Sequence, residues 1–75
     1  MLTPEMSRLG AKVIYSLNAF QMGIVDQEDI GYNAARTVGD SIRSGDIHDK
    51  TEMAAAVKNA LPDDYQRACP FLYTE

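Results

Sequence analysis

Seventy-five residues with seven basic and eleven acidic side chains, net charge −4, make one small domain (residues 1–75) with no basic face for nucleic acid. One cysteine, Cys69, and one histidine, His48, exclude an intrachain disulfide and leave too few soft ligands for a structural zinc site. A chain of this length buries only roughly 60% of its unfolded surface, so tight helix packing or self-association has to supply stability.

The first predicted element is a helix over 3–22. Thr3-Pro4-Glu5 offers a capping hydroxyl, a proline suited to the first helical position and an acid near the positive helix end. Met6, Leu9, Val13, Leu17 and Phe20 recur at spacings of three and four, with Ala11 and Ile14 widening the stripe. Gly10 costs the helix about 1 kcal/mol against alanine and suits close contact with another helix. Gly23 supplies a left-handed C-terminal residue, with Ile24 as its hydrophobic contact.

A second helix is predicted over 26–44, opened by Asp26 and followed by Gln27, Glu28 and Asp29. Its inner stripe is read as Ile30, Ala34, Val38 or Thr37, and Ser41 or Ile42, surrounded by Gly31, Ala35 and Gly39. So thin a helix lets a neighbour come close and is weak in isolation. Ser44-Gly45 ends it. Gly45 to Asp49 reads as a polar linker.

The third helix is predicted over 50–61. Asp49 and Glu52 have the spacing of a capping box, and Met53, Ala56, Val57, Ala60 and Leu61 form a short stripe. Pro62 ends it. A turn of helix over 63–69 groups Tyr65, Ala68 and Cys69, and Pro70 stops it. No stretch alternates as a strand does. With short connections the first two helices are expected to be antiparallel neighbours. The expected fold is all-α, a three-helix bundle or a helical hairpin plus a third helix, with a short C-terminal helical turn.

Chemistry-bearing patterns are sparse. There is no Gly-rich phosphate loop, no calcium-loop spacing of acids and no turn dividing a helix-turn-helix. His48, between Asp46, Ile47 and Asp49, reads as a solvated linker group. Cys69 reads as a small buried hydrophobe. Asp40-Ser41-Ile42 resembles the Asp-Ser-Leu motif of acyl carrier proteins, where the serine carries phosphopantetheine and opens a long helix. Here Ser41 falls near the end of a predicted helix, so that family's function is not carried over. No catalytic, cofactor-binding or metal-binding residues are assigned.

Charge is uneven. Residues 26–49 carry six acids against Arg36 and Arg43, an acidic stretch that reads as solubility charge or as a face for a basic partner. The longest apolar runs fall far below the ~20 residues of a membrane span, and no signal-peptide pattern is present. The expectation is a cytoplasmic protein with no membrane or nucleic-acid partner.

What remains is apolar surface: Met22 and Ile24 near the first turn, and Phe71, Leu72 and Tyr73 near the C-terminus. The latter three either pack back onto the bundle or meet another chain. Tyr15 and Tyr32 flank the stripes as rim residues. The expected function is a small, acidic, non-enzymatic protein-interaction module. It would act as a homo-oligomer or as a regulator or inhibitor binding a larger protein, of the kind phages and plasmids carry. The alternative is a small-ligand or carrier module with a pocket at a helix or subunit interface, using Tyr32, Asn33 and Arg36.

Overall fold

Thr3 opens the first helix as its sequence implies. In the computed structural model, which describes residues 3–20 and 28–74, the Thr3 Oγ1 accepts from the Met6 N–H at 3.1 Å, capping helix α1, Pro4–Phe20. Four further elements follow: α2 (Glu28–Arg43), α3 (Lys50–Ala60), α4 (Tyr65–Ala68) and a 3₁₀ turn, Pro70–Leu72. No strand occurs among the described residues, so the fold is the expected small all-α type. Gly23, Asp26 and Gln27, assigned above to the first helix's end and the second's start, lie outside the described residues.

The first two helices meet through small residues. A Cβ added to Gly10 would lie 3.2 Å from Ile42 Cδ1 and 3.7 Å from Met53 Cε, and one added to Gly39 would lie 3.6 Å from Ile14 Cδ1. Gly10 with Ile42 and Ile14 with Gly39 run in opposite order along the chain, so α1 and α2 are antiparallel. On α1 the buried positions are Met6, Gly10, Val13 and Leu17, the expected stripe with the glycine inside it.

The α2 stripe needs correction. Gly31, Ala34, Ala35, Val38 and Gly39 are buried, while Ile30 is 39% exposed and Thr37 faces solvent. The larger apolar residue was read as inward. Close approach to α1 instead selects the small ones, because only they leave room for the α1 side chains.

Helix α2 ends in a Schellman arrangement. Gly45, at φ +84°, donates to Ile42 O at 3.2 Å and Asp46 N donates to Ser41 O at 3.0 Å, which satisfies carbonyls that would otherwise lack partners. The reversal then drives Ile47 into the core, so the segment expected to be a polar linker carries a buried plug. Asp49 caps α3 by accepting from the Glu52 N–H at 2.8 Å. The reciprocal contact of the box is displaced by one residue, since Glu52 Oε1 accepts from the His48 N–H at 2.6 Å.

Met53, Val57 and Leu61, four residues apart, bury the inner face of α3. After Pro62 the chain turns back, and α4 with the 3₁₀ turn brings Ala68, Cys69 and Leu72 into the same core. The 3₁₀ turn was not foreseen. It satisfies the chain after Pro70, with Leu72 N donating to Cys69 O and Tyr73 N to Pro70 O, both at 3.1 Å. No polar or charged residue is buried among those described. The shortest Cα dimension, 18 Å, holds two helix layers. One layer is the α1–α2 pair; α3 and the C-terminal elements cover it on one face.

Tyr73 ties the C-terminal segment down. Its O–H donates to Ala54 O at 2.6 Å, and its ring meets Tyr65 edge-on with centroids 4.8 Å apart. Ending the chain at Pro70 removes this bond and the buried Leu72, and should lower the melting temperature. Tyr73→Phe alone should cost about 1 kcal/mol. Thermal unfolding followed by circular dichroism checks both, and an unchanged midpoint in the shortened chain would show that the segment does not support the core.

Candidate interaction groove

The uncovered face of the α1–α2 pair is a groove. Ile14 and Asn18 line it from α1, and Tyr32, Ala35, Arg36, Gly39 and Arg43 line it from α2, around a volume of about 260 Å³. The α2 members recur at three and four residues, one helix face. Gly39 and Ala35 keep the floor low, because no side chain beyond a methyl rises from it.

Two polar groups in the groove have a local partner. Asn18 Nδ2 donates to Ile14 O at 3.1 Å, which holds the amide against its own helix. Arg43 pairs with Asp40 one turn earlier. Tyr32 is 53% exposed and Tyr15, beside Ile14 and one turn from Asn18, is 75% exposed. These are two of the three large hydrophobic residues exposed among those described.

The structure divides the residues named from the sequence. Tyr32 and Arg36 share the α1–α2 groove. Asn33 lines a different depression, between α2 and α3, with Ile30, Thr37 and Ala60. Asn33 is one residue from Tyr32 and therefore about 100° round the helix, which separates the three proposed pocket residues. Met22 and Ile24 lie outside the described residues. Leu72 is buried in the chain's own core, and Phe71 and Tyr73 pack half-buried against it, with Lys12 Nζ 4.3 Å above the Phe71 ring. Sequence reasoning missed Ile14, Asn18 and Arg43 as groove members, while Ala35 and Gly39 belong to the small-residue face expected to line a pocket. The available signal was Ile14 on the edge of its stripe, opposite a glycine.

Three acids of the middle segment act locally. Asp40 holds Arg43, Asp46 accepts from Ser44 Oγ at 2.9 Å, and Asp49 caps α3. His48 Nδ1 lies 3.0 Å from Glu52 Oε1 in an exposed pair. Among the described residues no three His, Cys, Asp or Glu side chains gather as a metal site, and no helix is long and apolar enough to cross a membrane.

No family model, curated protein or solved structure matches this chain.

Cys69 is fully buried, and burial pushes its thiol up to about 11. Burial, followed by the neighbouring Cys69 and Tyr65, pushes Tyr73 up to about 12. A thiol held neutral and inside the core is a poor nucleophile, so iodoacetamide should leave Cys69 unmodified in the native protein at neutral pH and modify it readily in denaturant. Both groups have native values above their unfolded ones. The native state therefore holds these two protons longer, and their contribution to stability should be fully present below about pH 9 and be lost as pH rises through 11 to 12. Cys69→Ala with Tyr73→Phe should flatten that alkaline decline in melting temperature. Rapid native alkylation would contradict the buried placement.

Proposed function

We propose that this chain is a non-enzymatic protein-interaction module whose contact surface is the open α1–α2 groove. The observation that carries the reading is Tyr32, large and exposed on the lining of a groove that no described element covers, with Tyr15 exposed on α1 one turn from the groove residue Asn18. Tyrosine and arginine are the residue types that anchor protein interfaces, and this face has both. Such a module acts on a larger protein, as a regulator or inhibitor, or on further copies of itself. A single thiol kept inside the core suits a reducing compartment such as the cytoplasm.

The ligand-pocket alternative draws less support. A volume of about 260 Å³ is below the roughly 300–1,000 Å³ of small-molecule sites, the groove is open, and Asn33 is turned away from Tyr32 and Arg36.

The test is a Tyr15→Ser, Tyr32→Ser double variant. Both side chains are exposed, so the melting temperature should stay near that of the parent chain. Proteins captured by the tagged parent from its host lysate should be lost, and any oligomer seen by light scattering should dissociate. The same partners and the same mass in both proteins would refute the groove as the contact surface.

A further inference from the structure

Most cations of this chain have a local partner. Lys12 sits over Phe71, and Lys58 Nζ lies 5.5 Å from the Tyr65 ring centroid. Arg67 lies over Phe20 and donates to Asp64 at 3.1 Å. Lys50 Nζ donates to Thr74 O at 3.2 Å, and Arg43 pairs with Asp40. Arg8 and Arg36 are different, since no ion pair or hydrogen bond engages either guanidinium among the described side chains, and of the two only Arg36 lines the α1–α2 groove. Arg43 lies two turns further along the same face, and Asp40 offsets only one of the two charges. Among the described side chains, the groove thus holds two arginines against the single carboxylate of Asp40, on a chain whose net charge is −4.

The geometry points to this groove as the docking site for an acidic segment of a partner protein, with a carboxylate of that segment held by Arg36 and its apolar flank laid on Tyr32. This rests on the reading of the groove as the contact surface. Guanidinium offers a planar fork that matches a carboxylate with two parallel hydrogen bonds. The floor of Gly39 and Ala35 lets a bound backbone come close, and the Tyr32 ring supplies apolar contact with a polar tip. A second copy is disfavoured as occupant, because the described groove lining offers no carboxylate to meet Arg36 across a two-fold contact. A nucleic acid is disfavoured because the remaining surface is acidic and would repel a long polyanion.

The experiment is an NMR titration of the full ¹⁵N-labelled chain with the peptide acetyl-Glu-Glu-Leu-Glu-Glu-Phe-amide, with its Lys-for-Glu counterpart, and with a short oligothymidylate. The acidic peptide should give saturable shifts confined to amides around Asn18 and from Tyr32 to Gly39. Binding should weaken strongly between low and high salt, as exposed charge pairs do. Arg36→Glu should reduce affinity about tenfold or more with unchanged circular dichroism. Arg36→Lys should bind between the two, and Arg67→Glu, which lies off the groove, should bind like the parent. Absence of saturable shifts, equal binding of the lysine peptide, equal affinity in Arg36→Glu, or tighter binding of the oligothymidylate would each overturn the proposal. If the peptide fails while the tyrosine double variant still loses its partners, the groove stands as contact surface and the acidic occupant falls. If that variant keeps its partners, the surface reading itself falls.

Discussion

The close approach of α1 to α2 is the constraint on which the rest of this structure depends. It is made at Gly10, where Ile42 lies against the space a Cβ would fill, and it continues at Gly39, where a Cβ would lie 3.6 Å from Ile14 Cδ1. Small residues bring little apolar area of their own, so their value is the depth they allow to Val13, Leu17 and Val38, all essentially fully buried. In a domain of this size, loss of a few ångströms of interdigitation would remove a large share of the total burial. The glycines weaken α2 as a helix, and packing offsets that weakness.

One covered face and one open face follow from that pairing. The core side of the helical pair receives Met53, Val57 and Leu61 from α3, Ile47 from the reversal after Gly45, and Cys69 and Leu72 from the C-terminal turns. Among the described residues, no element covers the opposite side. There the seam between the helices becomes a groove, with Ile14 on its wall and Gly39 on its floor. The proposed interaction surface is thus the uncovered remainder of the same packing that forms the core, and a partner would supply the missing layer.

Much of the fold was legible from residues alone, and the parts that were not share a physical cause. The α1 stripe, the Thr3 and Asp49 caps, the stop at Ser44-Gly45 and the stripe of α3 are local features, each readable from spacing and capping chemistry. Ile30 and Ile47 were misjudged because their burial depends on how elements meet. Ile30 is apolar but faces away from a helix that approaches on the glycine side, and Ile47 sits among polar neighbours yet is carried inward by a backbone reversal. The groove was half legible. Tyr32 and Arg36 stood out as polar groups on a small-residue helix, but their separation from Asn33 required the rotation of α2, and Ile14 and Asn18 required knowing which α1 edge faces it. The turn after Pro70 depends on the bond from Tyr73 to Ala54, nineteen residues away, which no local pattern records.

The most direct measurement is urea unfolding of Gly10→Leu beside Gly39→Ala. At Gly10 an added side chain meets Ile42 and Met53 inside the helix contact. At Gly39 a methyl meets only ordinary van der Waals distances, 3.4 Å to the mobile end of Arg43 and 3.6 Å to Ile14. The account predicts that Gly10→Leu loses about 1–3 kcal/mol or more through overpacking, while Gly39→Ala gains up to about 1 kcal/mol from helix propensity. A Gly10→Leu variant as stable as the parent chain would contradict the claim that this fold is built on close approach of its first two helices.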